Sequence, residues 1–152
     1  MHSLYETVKE ILESRRVGDP VFVRCNAHVA LENENVSIVL ARILSMASSW
    51  LEATPMQVYA QIDHNLRQIS TTVRYTDGQT AIVTVSTVYS KTSLDLMVLG
   101  NKGALYHDAA AIAPGFDIMA EPIPIPDWLM DALNQSIRDG EPAYIEEVMD
   151  IE

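Results

Sequence analysis

The stretch RQISTTVRYTDGQTAIVTVS, residues 67–86, decides the fold of this chain because it predicts a β-hairpin. Two segments rich in valine, isoleucine, threonine and tyrosine flank Asp77 and Gly78. An Asp-Gly pair between two such segments favours a two-residue type I′ turn. We therefore predict strands over residues 67–76 and 79–90, joined by that turn.

A two-residue turn also fixes which residues face each other across the hairpin. On one face, Ser70, Thr72 and Arg74 lie opposite Val85, Val83 and Ala81, and on the other face Ile69, Thr71, Val73 and Tyr75 lie opposite Ser86, Thr84, Ile82 and Thr80. Apolar residues then fall on both faces, so we expect the second face to be covered, either by residues 109–126 or by another subunit. The alternative, that threonine and valine are simply good strand formers, stays open.

Outward from the hairpin, the same patterns predict the other elements. Further strands are expected over residues 21–31, 56–63, 93–100 and 103–108, helices over 4–16, 35–52 and 127–140, and the start of a last helix in 141–152. Asp127 is the predicted N-cap of the third helix and Gly140 its stop. Four prolines favour an extended crossing over residues 109–126. This order predicts an α+β fold, with a single mostly antiparallel sheet of about five to six strands and helices on one face.

Composition narrows the classes of function. A chain of 152 residues with 48% hydrophobic residues predicts one globular domain over residues 1–152. A formal net charge of −11 argues against nucleic-acid binding, and no apolar run approaches the roughly 20 residues that span a bilayer. The single cysteine cannot form an internal disulfide, and the N-terminal residues do not resemble a signal peptide. We therefore expect a cytoplasmic protein.

No residue pattern predicts a metal site or a nucleophile. His2, His28, His64 and His107 are scattered, which favours ordinary imidazoles over a metal site assembled by the fold. Cys25 lies three residues before His28 on one predicted strand, so the two side chains point to opposite faces. We therefore predict no catalytic, cofactor-binding or metal-ligating residue.

Five segments carry a resemblance to a known family. They are VKEILESRRVGDPVFVR (8–24), VSIVLARILSMASSWLEATPMQVYAQI (36–62), VRYTDGQTAIVTVSTVYS (73–90), LDLMVLGNKGALYHD (94–108) and WLMDALNQSIRDGEPAYIEEVM (128–149). In this order they resemble the C-terminal domain of the Gfo/Idh/MocA oxidoreductases, which is similar to the C-terminal domain of glyceraldehyde-3-phosphate dehydrogenase. The resemblance implies a sheet whose open face makes the subunit contact. It also implies that one sheet edge helps to form a substrate pocket.

Two departures from the family's pattern bear on function. The Rossmann domain with its G-x-G-x-x-G turn is absent, since Gly100 and Gly103 follow a late strand and open no long helix. Aligning LARIL with the family's H-x-x-D-L-A-x-x-L helix sets Val36 at the catalytic His and Val39 at the Asp. Valine neither transfers a proton nor hydrogen-bonds a hydroxyl, so hydride transfer by this chain alone is not expected.

The sequence therefore predicts a non-catalytic, stand-alone relative of that domain, acting as an oligomerising, structural or substrate-recognition subunit. Its expected partner is either a second copy, in a homodimer, or a separate Rossmann-bearing oxidoreductase subunit. The chain itself is expected to bind no cofactor, and NAD(P) would be bound only by such a partner subunit. The alternative is a split or truncated part of an active NAD(P)-dependent sugar or polyol oxidoreductase. The candidate residues of the sheet face, interface or pocket, are Thr72, Arg74, Thr84, Ser86, Tyr89 and Lys91.

Overall fold

The computed structural model describes residues 4–29, 36–63, 67–87, 93–109 and 123–145. The helices are α1 (Leu4–Glu13), α2 (Val36–Leu51) and α3 (Asp127–Asp139). The strands are β1 (Pro20–His28), β2 (Pro55–Ile62), β3 (Gln68–Tyr75), β4 (Thr80–Ser86), β5 (Ser93–Gly100), β6 (Ala104–Ala109) and β7 (Ala143–Tyr144).

The strands form one sheet in the order β6-β5-β1-β4-β3-β2-β7. β1 pairs with β4 in parallel, and the remaining neighbours pair antiparallel. The predicted α+β fold with a single mostly antiparallel sheet is confirmed. The sheet has seven described strands, more than the five to six expected, and is mixed because β1 lies between β4 and β5.

The helices cover one face of this sheet. α2 contacts β1, β3 and β4, and α3 contacts β2. α1 packs on α2, and the ring centroids of Tyr5 and Trp50 are 6.2 Å apart in a stacked arrangement between these two helices. The sheet residues under them are apolar and almost fully buried; β1 contributes Val23, Cys25 and Ala27, and β5 contributes Leu94, Leu96 and Val98. Burial of this apolar surface is the main stabilising term of the fold.

The hairpin between β3 and β4 turns through three residues, not two. The N–H of Tyr75 donates to the carbonyl of Gln79 at 3.0 Å, and the N–H of Gly78 donates to the carbonyl of Tyr75 at 3.1 Å. Gly78 has a φ of 94°, the left-handed conformation that follows a type I turn in a three-residue hairpin loop. The predicted two-residue type I′ turn is therefore wrong, because an Asp-Gly pair suits either turn.

The longer turn shifts the register by one residue. Arg74 lies opposite Thr80, and Thr72 lies opposite Ile82 and not Val83. Since a one-residue shift exchanges the faces of a strand, β3 and β4 do not carry apolar residues evenly on both faces. Apart from Ile82, their apolar residues all lie under the helices. The expectation that the hairpin carries apolar residues on both faces is therefore wrong. That the second face of the sheet is covered by another segment or subunit stays a prediction.

Two further predictions near the C-terminus are corrected. The N-cap of α3 is Pro126, with Asp127 as the first helical residue, whereas Gly140 ends the helix in the left-handed conformation as expected. Ala143–Tyr144 is strand β7 and not the start of a helix, because it pairs with Gln57 and Val58 at the edge of β2. Of the predicted crossing over 109–126, residues 110–122 lie outside the described set, as do residues 146–152.

Candidate functional site

The face of the sheet that points away from the helices is called the open face below. Strand alternation and register assign to it the even-numbered residues of β1, β3, β4 and β6 from Phe22 onward, the odd-numbered residues of β2 from Gln57 onward, those of β5, and Tyr144 of β7. Most of their side chains are half-buried or exposed, in contrast to the buried residues between them.

The structure brings four of the six candidate residues together on the open face. Thr72 and Arg74 of β3 and Thr84 and Ser86 of β4 share it, although the predicted register placed the two pairs on opposite faces. Ser86 is buried, Thr72 and Thr84 are half-buried and Arg74 is exposed. Tyr89 and Lys91 lie outside the described residues. The role of all six as interface or pocket residues stays a prediction.

One half of the open face, over β6, β5 and β1, carries most of its apolar side chains; it is called the apolar half below and was missed from the sequence. Its apolar residues are Phe22, Met97, Leu99 and Tyr106, with Ile82 of β4 beside them, and the polar Arg24, Asn26 and Asp95 lie on the same half. Leu99 is 40% exposed and Tyr106 69% exposed. The alternation of apolar and polar residues in 21–31 and 93–100 was the signal available in the sequence. It does not reveal that these two strands are neighbours in the sheet, so it could not show that their apolar residues lie together.

The other half of the open face, over β3 and β2, is polar. The hydroxyls of Ser70 and Thr84 lie 3.1 Å apart across β3 and β4, and the side-chain amide of Gln61 donates to the Tyr59 hydroxyl at 3.2 Å. These hydrogen bonds satisfy polar groups that would otherwise need water or a partner. This half can therefore stay in contact with solvent at little cost.

The charge of the open face differs from that of the whole chain. Among the side chains that the structure describes, the registers place two arginines and one aspartate on it, Arg24, Arg74 and Asp95, so their formal charges sum to +1. The chain as a whole has a formal net charge of −11. Its excess acidity is thus carried elsewhere, and the open face lacks the like-charge repulsion that opposes association.

Helix α2 holds the two positions at which the family resemblance expects a catalytic His and Asp. Val39 is 1% exposed within the core, and Val36 is half-buried in the first turn. Arg42 is the one ionisable side chain in the sequence of α2, and its guanidinium donates to the carbonyl of Ile123 at 2.8 Å. This helix therefore offers no group that could exchange a proton with a substrate at neutral pH.

Other chemistry finds no support among the described residues. They contain no cluster of three or more His, Cys, Asp or Glu side chains that could hold a metal ion. Burial raises the pKa of the Cys25 thiol to about 12, and the negative charge of Asp95 adds to the rise. The thiol is thus protonated at neutral pH and is a poor nucleophile. Within the same residues, no helix is long and apolar enough to cross a membrane.

Solved structures share this fold. A probable dehydrogenase from Thermotoga maritima matches 95% of this chain and 62% of its own, with a TM-score of 0.71 and 14% identity. A myo-inositol dehydrogenase from Lactobacillus casei, solved with NAD(H) and myo-inositol, matches 93% of this chain and 58% of its own, with a TM-score of 0.70 and 16% identity. A myo-inositol 2-dehydrogenase from Lactobacillus plantarum matches 93% of this chain and 61% of its own, with a TM-score of 0.71 and 10% identity.

These matches confirm the predicted resemblance at the level of the fold, which is that of the C-terminal domain of Gfo/Idh/MocA dehydrogenases. The chain spans only about 60% of the length of the structures it matches. No family model matches the sequence, and no curated protein matches it closely enough to be counted as a relative.

Proposed function

We propose that this chain is a non-catalytic, oligomerising subunit of the cytoplasm that assembles through the open face of its sheet. It provides a structural or substrate-recognition surface and meets NAD(P) only through a partner subunit. The observation that carries the proposal is the open face itself, which combines a small sum of formal charges with an apolar half. Exposed apolar patches of this kind mark interaction sites in soluble proteins.

The size of the open face supports the same role. The seven described strands hold 48 residues, and at about 3.3 Å along the strand and about 4.8 Å across it for each residue the sheet has a footprint of roughly 750 Å². A stable interface buries about 800 Å² on each partner. One sheet face thus supplies the area for one specific contact, without help from the helices.

The absence of proton-transfer groups on α2 supports the non-catalytic part. In the family resemblance, this helix supplies the His and Asp of the reaction. Here Val36 and Val39 extend the apolar surface of the helix, and Val39 is packed into the core. We expect the purified chain to show no NAD(P)H turnover and no change in NAD(P)H fluorescence on mixing. Turnover by the chain alone would contradict the non-catalytic role.

Light scattering coupled to gel filtration tests the assembly. We expect the wild-type chain to elute as a species of about 34 kDa, twice its mass of 16.9 kDa. Leu99→Asp adds a charge in the apolar half of the open face and should convert this species to a monomer, because a buried unpaired carboxylate is costly. The matched control is Ile38→Asp on α2, where the side chain is 36% exposed, against 40% for Leu99.

The control variant should stay a dimer. A wild-type chain that is monomeric at all concentrations, and that also fails to bind a Rossmann-bearing oxidoreductase, would overturn the proposal. If both Leu99→Asp and Ile38→Asp abolish the dimer, the effect is not specific to the open face, and the open face would not be identified as the interface.

A second candidate function is that of one part of a split NAD(P)-dependent oxidoreductase acting on a sugar or polyol. The observation that favours it is the match to about 60% of the length of dehydrogenase structures, one of which holds NAD(H) and myo-inositol. The test is NAD(P)H formation by this chain mixed with a separate Rossmann-bearing subunit, compared with each protein alone. Activity that needs both proteins would favour this function over the first.

A further inference from the structure

Two Asp-Gly pairs occur in the sequence, Asp77-Gly78 and Asp139-Gly140. An aspartate before glycine can isomerise without an enzyme, because glycine has no side chain to shield its peptide nitrogen. That nitrogen attacks the side-chain carboxyl carbon of the aspartate, so a C–N bond forms, a C–OH bond breaks and one water leaves. The product is a cyclic imide. All four residues are exposed, so accessibility does not distinguish the two pairs.

Water opens the cyclic imide in one of two ways. Addition to the former side-chain carbonyl restores aspartate, whereas addition to the main-chain carbonyl leaves the chain linked through the side chain. That second product is isoaspartate, which has the same mass as aspartate and one more main-chain atom. No electrons are gained or lost, and water is the only co-reactant. Since both pairs share this chemistry, their rates differ by how readily the main chain opens to bring the nitrogen to the carboxyl carbon.

Asp77-Gly78 lies at the tip of the hairpin between β3 and β4, where few contacts hold it. The N–H of Gly78 donates to the carbonyl of Tyr75 at 3.1 Å, and this is the nitrogen that must attack. The Asp77 carboxylate makes no hydrogen bond or ion pair with the residues that the structure describes. A Cβ built on Gly78 would meet no atom within 4 Å, so nothing packs on the tip. Opening this pair breaks a single hydrogen bond of an exposed turn, which costs little.

Asp139-Gly140, at the C-terminus of α3, is held by a connected set of hydrogen bonds. The N–H of Gly140 donates to the carbonyl of Ser136 at 2.9 Å. The Ser136 hydroxyl donates to the carbonyl of Glu141 at 2.7 Å and accepts from the N–H of Ala60 at 2.8 Å. Ser136 is 0% exposed. Opening this pair disturbs a buried network that joins α3 to β2, which costs more than opening an exposed turn.

We propose that Asp77 is a site of isoaspartate formation in the folded protein and that Asp139 is protected from it. The modified turn gains one main-chain atom between β3 and β4, in the loop whose length sets their register. The former main-chain carbonyl of Asp77 becomes a free carboxylate. This carboxylate makes the turn a substrate for an S-adenosylmethionine-dependent methyltransferase that esterifies isoaspartate. The site is independent of the proposed function, because it needs neither a partner subunit nor the open face.

Ageing of the purified chain at physiological temperature tests the site. Peptide mapping by mass spectrometry with electron-transfer fragmentation, and labelling by an isoaspartate methyltransferase, measure the product at each pair. Isoaspartate should form at Asp77 about tenfold or more faster than at Asp139, because opening the second pair also disturbs the hydrogen bonds of Ser136. Asp77→Glu keeps the charge and should abolish the product at this position, since glutamate closes its larger imide ring far more slowly.

A matched pair of asparagine variants isolates the contribution of the main chain. Asp77→Asn and Asp139→Asn form the same imide with loss of ammonia in place of water, and the second variant also removes the ion pair with Arg138. Asp77→Asn should again react about tenfold or more faster. In concentrated urea the two rates should become equal, because neither the hairpin nor the helix end persists. Circular dichroism establishes that both variants are folded without urea.

Three results would overturn the proposal. The first is isoaspartate formation at Asp139 as fast as at Asp77 in the folded chain. The second is no isoaspartate at Asp77 in the folded chain when the same pair reacts in urea, which would mean that the hairpin protects it. The third is an undiminished methyltransferase label in Asp77→Glu, which would place the modification elsewhere. The oligomeric state enters none of these results, so failure of this inference is distinguishable from failure of the proposed function.

Discussion

The two faces of the sheet are built from alternate residues of the same strands, yet their surroundings differ sharply. On the face under the helices, the strand residues are buried and almost all apolar, as Val73 and Val83 illustrate at 1% and 0% exposure. On the open face, Thr72 and Ile82, one position along each strand, are only half-buried. The helix-covered face supplies stability, while the open face is the one to which the proposed function assigns recognition.

The length of a single turn decides which side chains of the hairpin lie on each face. A turn of three residues instead of two decides which set of side chains β3 and β4 present to the helices. Because strand side chains alternate with a period of two, a one-residue change of register exchanges the two sets. Gly78, by adopting a positive φ, sets the register that brings the four described candidate residues onto one face.

The largest expected effect comes from placing a charge under the helices. Val73→Asp should lower the free energy of unfolding by about 4 kcal/mol or more, because the carboxylate is buried without a partner. Thr72→Asp, one residue away on the open face, should change it by no more than about 1 kcal/mol. Urea denaturation at low protein concentration measures both. Equal losses would mean that the two faces do not differ as described.

A smaller effect is expected from restoring an acid to α2. Val39→Asp buries a carboxylate in a core position that is 1% exposed, but the positive end of the helix dipole near the first turn offsets part of the cost. We expect a loss of about 2–3 kcal/mol by urea denaturation. Ile38→Asp, exposed on the same turn, should be neutral. A fully stable Val39→Asp variant would show that this position tolerates a catalytic acid.

The smallest effect concerns the turn that sets the register. Gly78→Ala should cost about 1 kcal/mol, because an L-residue with a side chain resists the left-handed conformation. The added Cβ would meet no atom within 4 Å, so the cost is confined to the backbone. Gly103→Ala, in a turn without positive φ and with Cβ contacts of 3.8 Å or more, is the matched control. Equal melting temperatures for the two variants would contradict this account.

Local patterns predicted most of the elements correctly. The apolar period of α2, the stop at Gly140 and the alternation in β3, β4 and β5 are all written in short stretches of sequence, because helix and strand periodicities are local properties. Strand β7 was missed because two residues carry no period. Its place depends on the edge of β2, which lies far away in the sequence.

The candidate site was predicted only in part for the same reason. Thr72, Arg74, Thr84 and Ser86 were selected from one hairpin, whose strands are neighbours in the sequence as well as in the sheet. The apolar half of the open face depends on β1 inserting between β4 and β5, a pairing of segments that are more than 50 residues apart for β4. No local pattern records such a pairing.

The sequence by itself determined that this chain is an α+β domain, with a core helix that has valine at both positions where the family resemblance expects His and Asp. Only the tertiary structure decided which side chains share the open face and that Arg24 lies beside Asp95 on it. The reason is physical: side-chain chemistry and periodicity are properties of neighbouring residues. Strand order and register depend instead on which distant segments bury their apolar faces together under the helices.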